Sequence, residues 1–170
     1  MIFHEVIGIQ EVKDTRIKYR EAVRAVIIQG DKILLVQSNF GDYKFPGGGV
    51  EKNENHLEAL TREVTEETGY RHVIVGEKVG IVTERMIDEY DKSAVFEMTS
   101  HYYLCELVNK EKGSQQLDEY ELEQEFTPHW VEFADAITKN KEVIRYSKQR
   151  RWIHRENFVL EELVKSFSIR

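Results

Sequence analysis

The sequence predicts an α/β protein in which helices flank a mixed β-sheet. Three observations support this fold class. Short runs rich in β-branched residues recur along the chain, as the strands of a sheet do. Two segments, one central and one near the C-terminal end, have apolar residues at helical spacing. Strands and helices mix without a strict βαβ alternation, which favours a mixed sheet over a fully parallel one.

The first two predicted strands form a hairpin. The run AVRAVII at 22–28 leads through the turn signal Gln29-Gly30-Asp31 into a second run, KILLVQ, at 32–37. A glycine-rich loop follows at 39–49. Further strands are predicted at 72–75, 78–86, 96–108 and 129–133. We expect the highly charged segment 109–124 to be a mobile loop.

Local signals mark both ends of the central helix. Asn55 is a good N-cap, and Glu58 three residues later completes an asparagine variant of the capping box. Gly69 stands where the glycine that follows a helix belongs. We therefore predict a helix over 55–68. Its apolar stripe consists of Leu57, Leu60 and Val64.

Composition limits the class of protein. The 170 residues include 31 acidic and 24 basic ones, for a net charge of −7, so no stable nucleic-acid partner is expected. The single cysteine, Cys105, allows no internal disulfide. No run approaches about 18 apolar residues, and the N-terminus is unlike a secretory signal, so no membrane association is predicted. We expect a cytoplasmic protein with one domain over 1–170, including a short extension at about 1–20 and a C-terminal helix at about 140–167.

The C-terminal end of the central helix concentrates negative charge. Glu63, Glu66 and Glu67 fall within five residues, where like charges repel by roughly a few tenths of a kcal/mol per pair. The helix dipole also disfavours anions at this end. A divalent cation would relieve the repulsion, because Mg²⁺ and Mn²⁺ prefer oxygen ligands. The alternative is a solvated acidic face, the commoner explanation of a charge run.

The loop before this helix suits a phosphate-bearing ligand. Gly47, Gly48 and Gly49 allow the backbone to approach a ligand closely. A glycine loop followed by clustered carboxylates suggests metal-assisted attack on a phosphate chain.

The spacing of residues from Gly48 to Tyr70 resembles the Nudix box. Five residues separate Gly48 from Glu54, and seven more precede Arg62-Glu63-Val64. One residue then precedes Glu66-Glu67, and one more precedes Gly69-Tyr70. The stretch contains every position of the box at the required spacing. The preceding FPGG and the hairpin also resemble the start of a Nudix domain.

The resemblance implies an α/β/α sandwich that hydrolyses a nucleoside diphosphate linked to another group, with Mg²⁺ or Mn²⁺ as cofactor. Positions matching metal ligands of the family are Gly47, Glu63, Glu66 and Glu67. Positions matching catalytic residues are Arg62, Glu63 and Glu66, with Arg62 orienting a neighbouring glutamate. Positions matching structural residues are Glu54 and Gly69. The general base varies within the family, so its identity stays open.

Residues outside the box extend the candidate site. In some family members a glutamate before the last strand joins the metal site, and Glu125, or alternatively Glu123, stands there. Predicted substrate contacts are Arg24, Tyr43, Phe45 and Gly48. Core packing is the alternative for Phe45, and an exposed strand edge is the alternative for Arg24. His101 is more typical of a packed or surface residue than of a ligand.

A basic patch is predicted near the C-terminal helix. It consists of Lys148, Arg150, Arg151 and Arg155. A solvated helix face is favoured over a role in attracting a polyphosphate.

Subfamily signals outside the box are missing. The chain has no proline between Pro46 and Pro128, whereas ADP-ribose hydrolases of the family resemble one another in a proline beyond the box. We therefore favour a nucleoside triphosphate or modified nucleotide over ADP-ribose, a dinucleoside polyphosphate or an RNA 5′ end. A non-catalytic nucleotide-sensing module is the second hypothesis, although the intact carboxylates favour an enzyme. Family members are often dimers, so a homodimer stays open.

Overall fold

A computed structural model describes residues 1–147 and 150–167. Lys148 of the predicted basic patch therefore lies outside the described residues. The strands are β1 (Phe3–Gly8), β2 (Arg16–Gln29), β3 (Lys32–Gln37), β4 (Tyr43–Lys44), β5 (Val73–Ile87), β6 (Ala94–Leu107) and β7 (Thr127–Glu132). The helices are α1 (His56–Thr68), α2 (Glu119–Glu123), α3 (Phe133–Tyr146) and α4 (Trp152–Phe167).

The strands form a mixed sheet in the order β1-β5-β6-β2-β3-β4, with β7 also paired to β3. The pairs β1/β5 and β2/β6 are parallel, and the others are antiparallel. The predicted hairpin is confirmed, but β2 and β3 pair only at Ile28 with Ile33 and at Gln29 with Lys32. From Arg16 to Ile27, β2 pairs with β6 instead, and β3 pairs with β7 over its whole length.

The glycine loop fills the gap that opens between β2 and β3. The backbone N–H of Val23 donates to the Gly48 carbonyl at 3.0 Å, and that of Ala25 donates to the Pro46 carbonyl at 2.8 Å. The free edge of β2 therefore holds the loop through backbone hydrogen bonds, which satisfies groups that would otherwise be buried without partners.

Helices cover both faces of the sheet, as the predicted α/β/α sandwich requires. On one face α1 packs Ala59, Leu60 and Val64 against β2 and β6. On the other face α3 and α4 cover a second core that includes Phe45 and Tyr102. Because consecutive strand residues point to opposite faces, β2 contributes apolar side chains to both cores.

The predicted caps of α1 are confirmed. The Asn55 side chain accepts hydrogen bonds from the N–H groups of Leu57 and Glu58. The Glu58 carboxylate in turn accepts a hydrogen bond from the Asn55 N–H at 2.9 Å. Gly69 ends the helix in the left-handed conformation, with φ of 80°. The predicted stripe is wrong at Leu57, which is exposed, and the buried face continues instead to Glu67.

Three other segments differ from their predictions. The first twenty residues, expected to form an extension, supply β1, which pairs with β5, and the start of β2. The strands predicted at 72–75 and 78–86 are one strand, β5, interrupted by irregular register. The C-terminal helical region begins earlier than expected and comprises α3 and α4.

Two arginines of the predicted basic patch are buried rather than solvated. Arg150 donates to Asp42 at 3.0 Å and lies over the Phe40 ring. Arg155, only 2% exposed, forms ion pairs with Glu84 on β5 and with its neighbour Glu156. Burial would lower the pKa of Arg155, but Glu156 and the other acidic groups around it raise that pKa well above its usual value. Arg151 is exposed, as expected.

The ion pairs of Arg155 connect α4 and β5 to the glycine loop. Glu156 also accepts a hydrogen bond from the backbone N–H of Phe45 at 2.9 Å. Buried charges of this kind are tolerated only when they are paired and hydrogen-bonded. The position of the loop and the packing of α4 therefore depend on the same carboxylate.

Replacing Arg155 with methionine is expected to lower the free energy of unfolding by about 3–5 kcal/mol, because Glu84 and Glu156 would stay buried without a counter-charge. Urea denaturation measures the change. Arg151→Met is the matched control and is expected to stay within about 0.5 kcal/mol of the wild type. Equal unfolding free energies for the two variants would contradict this account.

Candidate functional site

The candidate site is a cavity of about 450 Å³ beside the glycine loop. Its walls come from the N-terminal half of β2, from α1 and α2, and from the start of α4. Basic side chains, among them Arg20 and Arg24, line it together with the acidic side chains Glu63 and Glu121.

Arg62 binds several groups of the site at once. Its Nε and Nη2 donate to the two carboxylate oxygens of Glu54 at 2.8 and 2.9 Å. Its Nη1 donates to Glu63 at 2.7 Å and to Glu66 at 3.2 Å, and Nη2 also donates to the Gly49 carbonyl at 3.1 Å. The hydrogen bond to Arg62 lowers the pKa of Glu54. The guanidinium thus fixes the positions of two candidate ligands relative to the loop.

Glu63 lies directly against the glycine loop. A Cβ atom on Gly48 would come within 2.5 Å of the Glu63 carboxylate carbon, so only glycine allows this approach. Burial raises the pKa of Glu63, and the hydrogen bond from Arg62 opposes that rise. The carboxylate is thus held close to a backbone that can itself bind a ligand.

Glu67 lies at the bottom of the site and is fully buried. One carboxylate oxygen accepts a hydrogen bond from the Gly47 N–H at 2.8 Å, and the other lies 2.5 Å from the Lys44 ammonium. Glu121 of α2 completes the group: Glu63, Glu67 and Glu121 each offer an oxygen within 4.8 Å of the others. Burial, and then the charge of Glu67, raises the pKa of Glu121 to about 7.

The position of Glu121 depends on how the charged segment is anchored. Gln115 donates to the carbonyls of Glu67 and Phe126, and the N–H of Gln116 donates to the Glu66 carbonyl at 2.8 Å. These contacts satisfy carbonyls at the C-terminal end of α1. The expectation of a mobile loop at 109–124 is therefore wrong, because the segment contains α2 and is hydrogen-bonded to α1.

Comparison with known proteins places this site in a family. The profile of the NUDIX domain matches residues 18–153, most of the chain. The chain belongs to the Nudix family. It is thus a hydrolase of pyrophosphate bonds, in a family that generally uses divalent metal ions and nucleotide substrates. Comparison with curated proteins gives no significant match.

Solved structures agree with this assignment at the level of the fold. An Ap4A hydrolase binary complex from C. elegans is 18% identical, with a TM-score of 0.54 over 88% of this chain and 98% of that one. A NUDIX hydrolase from Nitrosomonas europaea is 22% identical, with a TM-score of 0.53 over 73% and 79%. An ADP-ribose pyrophosphatase from Streptococcus suis is 26% identical, but its TM-score is only 0.47 over 68% and 75%. No described helix is long and apolar enough to cross a membrane.

The Nudix box residues largely meet around the cavity. Glu63 and Glu67 belong to the carboxylate group, whereas Glu66 is more exposed and lies on the Arg62 side. The Gly47 carbonyl accepts a hydrogen bond from Arg24, which is buried and borders the cavity. A Cβ on Gly47 would lie 2.0 Å from the Val23 carbonyl oxygen, so this position requires glycine.

Two predicted substrate contacts are not available to a ligand in the cavity. Phe45 is fully buried and packs edge-on against Tyr102, with 5.3 Å between ring centroids, as its core-packing alternative proposes. Tyr43 points toward α3, where its backbone exchanges hydrogen bonds with Asn140. The next residue, Lys44, points to the carboxylates instead, because side chains alternate along a strand.

The additional glutamate predicted for the metal site is also not found there. Glu125 and its alternative Glu123 are both exposed and lie outside the carboxylate group. Glu125 adopts a φ of 52°, in the left-handed region, just after α2 ends. The N-cap Asp118 with Glu121 three residues later is a capping-box signal that would have indicated α2 and hence Glu121.

Aromatic residues of the cavity were also missed by sequence reasoning. Tyr120 and Trp152 line it, and Trp152 is fixed by a hydrogen bond from its Nε1 to Asp42 at 3.3 Å. Arg20 lies four residues before Arg24 on β2, so both side chains leave the same face of the strand. That even spacing is a signal that could have identified Arg20.

Replacing Arg62 with glutamine is expected to weaken Mn²⁺ binding by about 10–100-fold, the usual cost of losing a residue that orients metal ligands. Arg62→Lys is expected to restore little of the lost Mn²⁺ affinity, because lysine lacks the planar guanidinium that binds both Glu54 and Glu63. Electron paramagnetic resonance of free Mn²⁺ measures the affinity. The exposed Arg71, just beyond α1, gives the matched control Arg71→Gln, and an unchanged affinity in Arg62→Gln would refute the orienting role.

Proposed function

We propose that the chain is a Mg²⁺- or Mn²⁺-dependent pyrophosphohydrolase that cleaves a nucleoside diphosphate linked to another group. A nucleoside triphosphate, unmodified or modified, is the favoured substrate. The observation that carries the proposal is the group of oxygens from Glu63, Glu67 and Glu121, of which Glu63 and Glu121 line a cavity that basic side chains also line. Anionic ligands for a cation and cationic contacts for a phosphate chain are thus adjacent.

The donor set fits a hard divalent cation. All three grouped side chains offer carboxylate oxygens, the ligands that Mg²⁺ and Mn²⁺ prefer. The Glu67 oxygen that faces Lys44 is buried and has no aligned hydrogen-bond donor, although the ammonium lies 2.5 Å away. We assign the cation to Glu63, Glu66, Glu67 and Glu121. The Gly47 carbonyl accepts a hydrogen bond from Arg24 and keeps a second lone pair with which it could join them.

The residues of the chain have separate tasks in this proposal. When bound, the cation polarises phosphate oxygens and lowers the pKa of a bound water. Arg62 keeps Glu63 and Glu66 in position. Arg20 and Arg24 offset the negative charge of the phosphate chain. A carboxylate of this group would accept the proton of the attacking water.

The size and lining of the cavity support a single nucleotide. Its volume of about 450 Å³ lies in the lower part of the range of small-molecule sites, about 300–1,000 Å³. Tyr120 and Trp152 offer aromatic surfaces for one base, since bases stack on such rings. This supports a nucleoside triphosphate over a dinucleoside polyphosphate, and ADP-ribose and RNA 5′ ends remain alternatives for the assay.

A non-catalytic nucleotide sensor is the second candidate. The observation that favours it is that protein cations already bind the groups a metal would use: Lys44 pairs with Glu67, and Arg24 binds the Gly47 carbonyl. A sensor of this kind would bind nucleotides through its basic residues without needing a metal.

Turnover of a nucleotide panel tests the proposal. The panel contains the common and oxidised nucleoside triphosphates, ADP-ribose, a dinucleoside tetraphosphate and a 5′-triphosphate RNA, each with Mg²⁺ and with Mn²⁺. We expect pyrophosphate release from a triphosphate, and a loss of about 100-fold or more in Glu66→Gln and Glu67→Gln. No turnover with any substrate, together with unchanged nucleotide binding by both variants, would favour the sensor.

Glu121 is expected to matter more than the glutamates that follow it. Glu121→Gln removes a carboxylate of the grouped set and is expected to lower activity by about 10-fold or more. The matched controls Glu123→Gln and Glu125→Gln change exposed residues of the same segment and are expected to keep wild-type rates. Initial rates with the best substrate of the panel measure these effects. A loss of activity in Glu125→Gln alone would assign the extra carboxylate to Glu125 instead of Glu121.

A further inference from the structure

We propose that Glu21, His56 and His101 form a second metal site, which binds Zn²⁺ or a similar late transition-metal ion. One ligand atom from each of the three side chains lies within 4.8 Å of the other two. None of these residues belongs to the carboxylate group of the catalytic cavity. The proposal does not depend on which nucleotide the enzyme hydrolyses.

Three separate elements bring these side chains together. Glu21 belongs to β2 and His101 to the adjacent parallel strand β6, where Val23, two residues after Glu21, is paired with His101. Because residues two apart share a face of a strand, both side chains point to the same side of the sheet. His56 is the first residue of α1, which packs on that side. Residues distant in sequence therefore converge.

The ring nitrogens approach one carboxylate oxygen. The Nε2 atom of His56 lies 2.9 Å from Glu21 Oε1, and that of His101 lies 3.0 Å from the same atom. Yet neither ring nitrogen of His101, a residue only 9% exposed, makes a hydrogen bond. The close approach to Glu21 therefore lacks the alignment of an N–H donor with its acceptor. Buried polar atoms usually have partners, so a ligand is implied.

These distances are close to those of metal ligands. With bonds of about 2.0–2.2 Å to nitrogen and oxygen, the ligands of tetrahedral Zn²⁺ lie roughly 3.3 Å apart. The two nitrogen-to-oxygen distances, 2.9 and 3.0 Å, need to lengthen by only about a few tenths of an ångström to reach that spacing. In such a site the nitrogen lone pairs point at the ion rather than at the carboxylate, which agrees with the absence of an aligned hydrogen bond at His101.

A further contact fixes the ring of His56. Its other nitrogen, Nδ1, lies 2.7 Å from the hydroxyl of Tyr103. Histidines that bind metals usually use their second ring nitrogen in a hydrogen bond of this kind, which sets the orientation of the ring. Tyr103 follows His101 by two residues on β6, so one strand contributes both a ligand and the group that orients another.

The ligand set distinguishes this site from the catalytic one. Two imidazoles and one carboxylate suit Zn²⁺ and its neighbours in the transition series, whereas Mg²⁺ prefers oxygen ligands. The Lys78 ammonium, over the Tyr103 ring at 5.4 Å, lowers the affinity for any cation without changing this preference. Glu21 is the most exposed of the three, with 35% of its side chain accessible, so an ion and a water ligand can enter from that side.

An ion here would join the start of α1 to the sheet. The carbonyl of Glu21 also accepts a hydrogen bond from the Val50 N–H at 3.0 Å, just after the glycine loop. The ion would therefore hold the segment between the glycines and α1 against β2 and β6. Binding to the folded state alone raises the unfolding temperature.

Cobalt binding tests the proposal. Metal-free, untagged protein in excess Mg²⁺, which occupies the oxygen ligands, is titrated with Co²⁺ and then with Zn²⁺. We expect one equivalent of Co²⁺ to give visible d–d absorption that Zn²⁺ abolishes, and Zn²⁺ to raise the unfolding temperature. Tyr103→Phe is expected to weaken binding by about 10–100-fold, and His56→Ala and Glu21→Gln by at least as much.

The matched control is His72→Ala. His72 is an exposed histidine that also lies near a glutamate, 3.6 Å from Glu111, so it tests for surface binding of the metal. We expect wild-type binding in this variant. If His101→Ala fails to fold, the partly exposed His56 and Glu21 still provide the test, with folding checked by circular dichroism. No binding by the wild type in Mg²⁺, or equal binding by all variants, would overturn the proposal.

Discussion

The repulsion among the carboxylates of α1 is the constraint on which the site depends. Arg62 reduces this repulsion, because its single guanidinium binds Glu54, Glu63, Glu66 and the Gly49 carbonyl. Lys44 also reduces this repulsion, by pairing with Glu67. The glycine loop and the helix are consequently joined by charge as well as by the backbone hydrogen bonds to β2. Acidic residues that local rules would separate can then stay together.

Much of this arrangement could be predicted from short-range pattern. The caps of α1, the hairpin and the spacing of the box are local features, and a residue's neighbours in sequence determine them. Arg24 could be placed beside the cavity because a charged residue in an apolar strand needs a partner. Glu67 shows the limit of the pattern, since the predicted apolar stripe included Leu57, which is exposed, and left out Glu67, which is buried.

The remaining contacts depend on tertiary structure that no local pattern contains. Phe45 is buried because α4 covers it and Glu156 binds its N–H, although more than one hundred residues separate the two in sequence. Glu121, rather than Glu125, reaches the carboxylates because Gln115 anchors the segment to the end of α1. His101 looked isolated in sequence, and only the pairing of β2 with β6 and the position of α1 bring Glu21 and His56 beside it.

β1 and most of α4, including Arg155, lie outside the residues that the family profile matches, 18–153. A fragment limited to that range would uncover the edge of β5 from Gly80 to Arg85, where β1 pairs with it, and exposed edges of this kind favour association between chains. It would also leave Glu84 without its guanidinium and remove the apolar residues of α4 from one face of the sheet. We therefore expect the smallest self-sufficient folding unit of this protein to be larger than the region by which its family is recognised.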